Sequence, residues 1–353
     1  MNTKIAVDSG QTLRVALLGC GRIARLAHVA VLSRLPGVQL VGIADSQPHF
    51  RAFASHSAPG AMLFDDFQAL LDETKPDAVV IALPTLAHCE AAVAALAAGA
   101  HVYLEKPIAP SLDEAMEIHR AWQATTLVGR IGFNARFGRL YRELKDALSR
   151  GTIGIPIAAR SAFTARFPVE STWRLSPATG GGALLELASH HVDLMRFVFD
   201  SEIVSVRADT WSNRGNDESA MVELSLSNGV HTQTFVSHGS LEEDRFEVYG
   251  TEGKLSVDRY DSLVVERSGP LAKGGLSSAV SRLQAEVGAL AYGMRKRRSP
   301  GQEPSFGESL EDFVTAARAR KPTKPDLTDG LRALEAVEAA RRSAFERQTV
   351  DMA

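Results

Sequence analysis

Two cysteines, Cys20 and Cys89, are the only thiols in the 353 residues. They are too few for a disulfide framework and point to a reducing compartment. No apolar run reaches the roughly 18 residues that a spanning helix needs, so no helical membrane span is expected. The opening stretch MNTKIAVDSGQTLRVALLGCG lacks a basic start, a following apolar stretch and a small-residue cleavage site. The expectation is therefore a cytoplasmic protein that is not secreted. An excess of one charge is also missing: 39 Lys and Arg face 42 Asp and Glu, a formal net charge of −3. A protein built mainly to hold nucleic acid normally carries a strong basic excess. The two Cys and ten His show no metal-ligand spacing, so no metal is expected. The rest of the composition is ordinary. Apolar residues at 45% and charged residues at 23% exclude disorder over most of the chain, and the length suits two domains of about 150 residues each.

From Leu13 to Asn134 the chain alternates short apolar runs with longer amphipathic stretches. The runs are 13–19, 38–45, 77–84, 101–107 and 126–134, each rich in Val, Ile, Leu and Ala without clean alternation. Strands buried on both faces read this way, and such strands belong to parallel sheets. Between them lie helical segments such as 87–100 and 111–122, the latter opened by Ser111 with Glu114 three residues on, a capping box. This rhythm predicts right-handed βαβ units in a doubly wound sheet, a Rossmann domain over 1–134. Past Thr152 the pattern becomes that of hairpins. Residues 221–239 read as two strands turning at Asn228-Gly229, and 244–250 and 254–260 continue the series. An α+β domain with a mostly antiparallel open sheet is expected over 135–353. The basic cluster Arg295-Lys296-Arg297-Arg298 reads as a solvated loop or short exposed helix.

Gly19-Cys20-Gly21-Arg22-Ile23-Ala24 is G-x-G-x-x-A between the first strand and the first helix. The first Gly permits the tight turn, the second lets the backbone approach a pyrophosphate, and the small third residue lets helix and sheet pack closely. The free N–H groups and partial positive charge of the helix start then face the phosphates. Asp45, at the end of the second strand, stands where a carboxylate accepts from the adenosine ribose hydroxyls. Beside a 2′-phosphate that carboxylate would be a close like-charge contact, so NAD is favoured over NADP, although Ser46, His49 and Arg51 follow closely.

Glu105-Lys106-Pro107 closes the run 101–107. Ligands gather outside the carboxyl ends of parallel strands, so Lys106 is placed at the cofactor crevice, and Pro107 keeps it out of the helical region. Gly180-Gly181-Gly182 leads into a helix in which Glu186, His190 and Asp193 are spaced i, i+4, i+7. At 100° per residue these fall on one face, where they form either a site or a closed ion network. His191 lies about 100° around the helix and reads as structural.

These residues carry a resemblance. GCGRIA (19–24), IALPTLAH (81–88), EKP (105–107), GFNARF (132–137), WRL with GGG (173–182), His190 with Asp193, YGTEG (249–253) and ESLEDF (308–313) follow the order of the glucose–fructose oxidoreductase / inositol dehydrogenase / rhizopine catabolism (Gfo/Idh/MocA) family. The resemblance spans nearly the whole chain from Leu13. It implies Lys106 and His190 as the catalytic pair with Glu186 in support, although many members have Asp at that last position. It implies substrate contacts from Lys106, His190, Asp193 and Asn134, with Arg136 nearby at the domain junction. The implied cofactor set is Gly19, Gly21, Arg22, Ile23, Asp45, Pro84, Thr85, His88, Glu105 and Lys106, joined by Trp173 and Arg174; Thr85 stands where Asn is common. The implied reaction is reversible hydride transfer between nicotinamide and a secondary alcohol of a sugar, cyclitol or related polyol. The outer face of the second sheet is implied to build a homodimer or homotetramer. Two other activities of related proteins stay open: a glycosidase that oxidises its sugar transiently with retained NAD, and a ligand-sensing regulator. Retention of Lys106 and His190 speaks against the latter.

Overall fold

The computed structural model describes residues 12–166, 181–212, 218–269 and 288–352. The chain divides into two compact units, residues 1–134 with 306–331, and residues 135–305 with 332–353.

The first unit is built on strands β1 (Leu13–Leu18), β2 (Val38–Ala44), β3 (Met62–Phe64), β4 (Ala78–Ile81), β5 (His101–Leu104) and β6 (Gly129–Ile131). Their order across the sheet is β3-β2-β1-β4-β5-β6, and every neighbouring pair is parallel. This is the doubly wound order whose sense reverses between β1 and β4. β4 and β5 are buried at every residue, as strands covered on both faces must be. The capping box is present: Ser111 Oγ accepts from Glu114 N–H at 3.4 Å and donates to Glu114 Oε2 at 2.8 Å, opening the helix Leu112–Gln123. β3 has no counterpart among the predicted runs. It is three residues long, and Met62 and Leu63 are 51% and 37% exposed, so no buried apolar run marks it.

The sequence reading has the chain leave this unit once, after Asn134; the chain in fact comes back for 306–331. The physical reason is the apolar face of the helix Pro304–Ala319. Leu310, Phe313, Val314 and Ala317 are buried in the same core as Val15, Leu17, Leu32, Val80 and Tyr103. The Phe313 and Tyr103 rings meet edge to face with centroids 5.6 Å apart, and Tyr103 Oη lies 3.2 Å from Ser309 Oγ. Beneath them the fully buried Arg130 is paired with Asp312.

The second unit carries β7 (Pro156–Thr164), β8 (Ile203–Trp211), β9 (Ser219–Leu226), β10 (His231–Ser237), β11 (Glu243–Gly250), β12 (Gly253–Asp258), β13 (Glu266–Ser268) and β14 (Val350–Asp351). They form one sheet in the order β13-β12-β11-β7-β10-β9-β8-β14. Only β7 and β10 run parallel; the other pairs are antiparallel. Gly229 takes φ +84° in the β9–β10 turn, and Asn228 Oδ1 accepts from Val230 N–H at 3.2 Å, the chemistry expected of an Asn-Gly hairpin. One face is covered by the helical stretch 184–199, which packs on β7, β9 and β10. The other carries Val204, Arg207, Asp209, Glu223, Gln233 and Arg160, all exposed.

Two predictions test this account. Phe313→Ala removes a ring from the centre of the first unit's core, and we expect a loss of about 3–5 kcal/mol in denaturant unfolding. A loss below about 1 kcal/mol would show that this helix is not part of that core. The second concerns pH. His101 Nδ1 accepts from Val128 N–H at 2.8 Å, so that nitrogen carries no proton. Burial, then the charge of Arg320, lowers the pKa of the ring. With the folded pKa below the unfolded value of about 6.5, the unfolded chain takes up the proton first, and this contribution is complete above pH ~6.5 and lost as pH falls. Thermal scans between pH 7 and pH 5 should show a smaller acid-induced drop in Tm for His101→Asn, whose Oδ1 replaces the acceptor, than for the wild type.

Candidate active site

In the first unit the residues expected to hold the cofactor gather where the sheet order reverses. Gly19 follows β1 with φ +89°, and a Cβ there would lie 2.5 Å from the Ala82 carbonyl oxygen of the loop after β4. Gly19 N–H donates to Ala44 O at 2.8 Å. A Cβ at Gly21, by contrast, would meet nothing within 4 Å; the backbone there is open to a ligand. Arg22 beside it is exposed and Ile23 half-buried. A π-helical turn, Ala24–His28, continues into the α-helical turn Val29–Leu32. Its N-terminal N–H groups have no intrahelical acceptors. An open glycine ahead of such a helix start fits a pyrophosphate.

The Asp45 carboxylate is fixed from both sides. Cys20 N–H donates to Oδ2 at 2.7 Å, and Gln47 N–H to Oδ1 at 2.8 Å. Each oxygen keeps a further lone pair for a ribose hydroxyl. Arg51 Nη1 donates to the Asp45 carbonyl at 2.6 Å, and Arg25 stacks over Phe50 at 4.5 Å. Cys20 itself is buried and its thiol is pushed up to about 11 by burial, then by the Asp45 charge, which makes it a space-filling residue.

After β4, Pro84 is exposed and Thr85 buried. His88 is also buried. Its Nδ1 lies 2.8 Å from Pro107 O and its Nε2 3.0 Å from Leu83 O. A neutral ring has one N–H, which donates to Pro107 O at the shorter distance, while the other nitrogen packs against the Leu83 carbonyl. Burial lowers its pKa, opposed by those two carbonyls and the Glu105 charge. After β5, Lys106 is half-buried and Glu105 buried. Glu105 Oε1 is 2.8 Å from Nε2 of the fully buried His28, and Oε2 accepts from Lys106 N–H at 3.3 Å. The carboxylate lies so close to Gly132 that a Cβ there would be 2.7 Å from Oε2. The Lys106–Pro107 peptide is cis. Asn134 is buried.

In the second unit the glycines 181 and 182 lead into a π-helical turn, Leu184–Ala188, and the α-helix Ser189–Phe199. The wider i→i+5 turn brings positions four apart, such as Glu186 and His190, closer to alignment than a straight α-helix does. Glu186 is buried and His190 half-buried. Asp193 is fully buried and accepts a fork from Arg136, Nε to Oδ2 at 2.8 Å and Nη2 to Oδ1 at 2.6 Å. His191 turns to the opposite side. Its ring stacks on Phe163 at 5.3 Å, and the edge of the same Phe163 pair meets His190 at 5.4 Å. Its Nε2 is 3.1 Å from Asp244 Oδ1, which also accepts from Tyr141 Oη at 2.8 Å; Asp244 Oδ2 accepts from Arg259 at 3.1 Å. Against burial, the His191 hydrogen bond and the Arg259 charge hold Asp244 below the usual carboxylate range. His191 is structural.

Trp173 and Arg174 lie outside the described residues. In the basic cluster, Arg297 and Arg298 are exposed, while Lys296 donates to the carbonyls of Arg259 and Tyr260 at 2.7 and 2.6 Å. Among the described residues no group of three His, Cys, Asp or Glu is placed to hold a metal, and no helix is long and apolar enough to cross a membrane. Sequence reasoning missed His28, Tyr141, Asp244 and Arg259. His28 offered one signal: it sits four residues after the small residue of the glycine motif, on the helix that packs against the sheet.

A glycine-lined reversal point, a fixed carboxylate after β2 and a lysine after β5 define an oxidoreductase with a nucleotide-binding Rossmann domain. Residues 13–133 match the model of the oxidoreductase family with an NAD-binding Rossmann fold, and residues 141–256 match the GFO/IDH/MocA C-terminal domain. The chain belongs to the Gfo/Idh/MocA family. It is 30% identical to the 1,5-anhydro-D-fructose reductase of Ensifer adhaerens over 249 residues, 69% of this chain and 74% of that one. It is 25% identical to the myo-inositol 2-dehydrogenase of Thermotoga maritima over 349 residues, 96% of this chain and 98% of that one. Among solved structures, the WlbA dehydrogenase from Bordetella pertussis in complex with NADH and UDP-GlcNAcA superposes with a TM-score of 0.82 at 22% identity, covering 97% of this chain and 98% of that one.

The Asp45 geometry generates a prediction on the cofactor. In Asp45→Ala, the Kd for NADH, read by fluorescence titration, should rise about tenfold, the equivalent of one charge-assisted hydrogen bond at roughly 1.5 kcal/mol. The Kd for NADPH should fall or stay level. An unchanged ratio would remove Asp45 from cofactor discrimination.

Proposed function

We propose that this chain catalyses reversible hydride transfer between NAD and a secondary alcohol or ketone of a sugar or cyclitol. The observation that carries the reading is Lys106, half-buried at the carboxyl end of β5 with its backbone N–H bound to the Glu105 carboxylate, in a sheet whose order reverses beside the Gly19 loop. The relatives reported above act, by their names, on an anhydrofructose and on myo-inositol, both polyhydroxylated rings.

Bound NAD supplies the carbon that takes up or returns the hydride. The chain's own residues do the rest. The His190 imidazole accepts the hydroxyl proton as the alcohol is oxidised, the general-base role that histidine most often fills. The Lys106 ammonium holds the same oxygen and stabilises the negative charge that grows there. Glu186, one turn before His190 and buried, orients the imidazole. Asp193, clamped by Arg136, and Asn134 serve the substrate hydroxyls, Asp193 through whatever lone pairs the guanidinium leaves. The Asp45 carboxylate favours NAD over NADP, because a 2′-phosphate beside it would place like charges together.

The protein works in the cytoplasm, in keeping with two free, buried cysteines. The exposed face of the second unit's sheet pairs with a second copy to give a homodimer or homotetramer. On that face Trp211, at 44% exposure, stacks on Phe235 with ring centroids 6.1 Å apart, an exposed aromatic pair of the kind enriched at interfaces.

Absorbance at 340 nm with NAD and a panel of cyclitols and aldoses tests the reading. We expect substrate-dependent NADH formation, and a fall of about 100- to 1,000-fold or more in kcat for Lys106→Ala, with NADH still bound. Turnover in Lys106→Ala close to that of the wild type would end the assignment.

A further inference from the structure

Two buried histidines outside the proposed proton-transfer chemistry converge on the backbone that carries Lys106. On one side stands His28, at the end of the π-helical turn Ala24–His28, with no exposed surface. Its Nε2 is 2.8 Å from Glu105 Oε1, and the other oxygen of that carboxylate accepts from Lys106 N–H at 3.3 Å. Gly132 closes the space behind the carboxylate, since a Cβ there would lie 2.7 Å from Oε2 and 3.0 Å from the carboxyl carbon. The Glu105 carboxylate thus packs against the bare backbone of Gly132, and His28 binds it there. On the other side stands His88, at the start of the helix His88–Ala97 and 1% exposed. Its Nδ1 reaches Pro107 O at 2.8 Å and its Nε2 reaches Leu83 O at 3.0 Å. Lys106 is thus bracketed: the residue before it is held through its side chain, and the residue after it through its carbonyl.

Neither histidine has a reason of hydrophobicity to be there. Burying an imidazole costs free energy unless its nitrogens are satisfied, and the bond that each ring makes to the Glu105-Lys106-Pro107 segment is what offsets that cost: His28 Nδ1 has no partner among the described residues, and a neutral His88 has a single N–H to give. Each also comes from an element that carries the dinucleotide loops: His28 from the helix after Gly19-Cys20-Gly21, His88 from the helix after Leu83-Pro84. We propose that His28 and His88 are positioning residues for Lys106, which fix its backbone between the two loops that hold the cofactor. This rests on the reading of Lys106 given above. A ground-state misplacement of about 1 Å at a reacting group is enough to cost on the order of 100-fold in rate, so a clamp at the backbone is felt at the ammonium.

The test uses full-length His28→Leu, His28→Gln, His88→Leu and His88→Asn. The Gln amide replaces Nε2 as donor to Glu105, and the Asn amide replaces Nδ1 as donor to Pro107 O. Hydrogen–deuterium exchange measured by mass spectrometry reads the segment directly. We expect exchange over 105–109 to quicken at least fivefold in the two Leu variants, and less in the Gln and Asn variants, with peptides from β1 and β4 unchanged. The Kd for NADH should stay within threefold in the two His28 variants. With perdeuterated myo-inositol or perdeuterated glucose, whichever the wild type oxidises, kcat should fall at least tenfold in the Leu variants. The deuterium isotope effect on kcat should rise, because the chemical step has slowed. A loss of kcat at constant isotope effect, with exchange quickened evenly over the first unit, would mean that the histidines only stabilise the fold and would overturn the proposal. So would unchanged exchange over 105–109 in the Leu variants; where these do not fold, unchanged exchange and kcat in both Gln and Asn variants together with restored Tm support the clamp, and equal losses in them overturn it. Absence of any sugar oxidation by the wild type would count against the proposed function alone, since the exchange pattern decides the clamp by itself.

Discussion

The contact between Gly19 and the Ala82 carbonyl is the constraint on which the rest of the first unit depends. With φ at +89° and only 2.5 Å between a would-be Cβ and that oxygen, no side chain fits there. The loops after β1 and β4 therefore lie against one another, and the helix that follows Gly21 starts at the edge of the sheet's reversal point. From that approach follow the placement of Cys20 N–H on Asp45, the open backbone at Gly21, and the position of His28 within reach of Glu105. One missing methyl group sets where the open backbone of Gly21 and the Asp45 carboxylate stand.

The second unit relies on a different interaction, a buried carboxylate shared by three donors. Asp244 binds His191, Tyr141 and Arg259, and Arg259 in turn reaches Glu303 at 3.1 Å. A buried charge is tolerable only when its lone pairs are taken, and here they are. The network holds the helix of His190 against β7 and β11 through the His191–Phe163 stack. It also explains how a helix can present adjacent histidines in different settings: one ring is locked into the sheet side, and its neighbour is left half-buried.

Much of this was legible in the sequence because it is local. The glycine turn, the acidic end of β2, the capping box at Ser111 and the Asn228-Gly229 hairpin are each specified by residues within a few positions of one another, and all are found where the pattern puts them. What was not legible is long-range. β3 is too short and too exposed to mark itself. His28 and Glu105 are 77 residues apart, and Tyr141 and Asp244 are 103 apart; no spacing rule links such pairs. The π-helical turns at 24–28 and 184–188 were hidden too, since a pattern read at 3.6 residues per turn has no place for the extra residue. Both interrupt helices that bear groups of the candidate site, a location in which such turns are commonly found.

The return of residues 306–331 to the first unit has a consequence for the order of events during synthesis. The nucleotide-binding half is encoded first, yet its core is closed by Leu310, Phe313 and Val314, which leave the ribosome after the whole of 135–305. Its sheet is thus born with one apolar flank uncovered and waits, through the making of residues 135–305, for the helix that seals it. Domain-by-domain maturation from the N-terminus, the usual course for chains of this size, is closed to this protein: the half that emerges first is completed among the last.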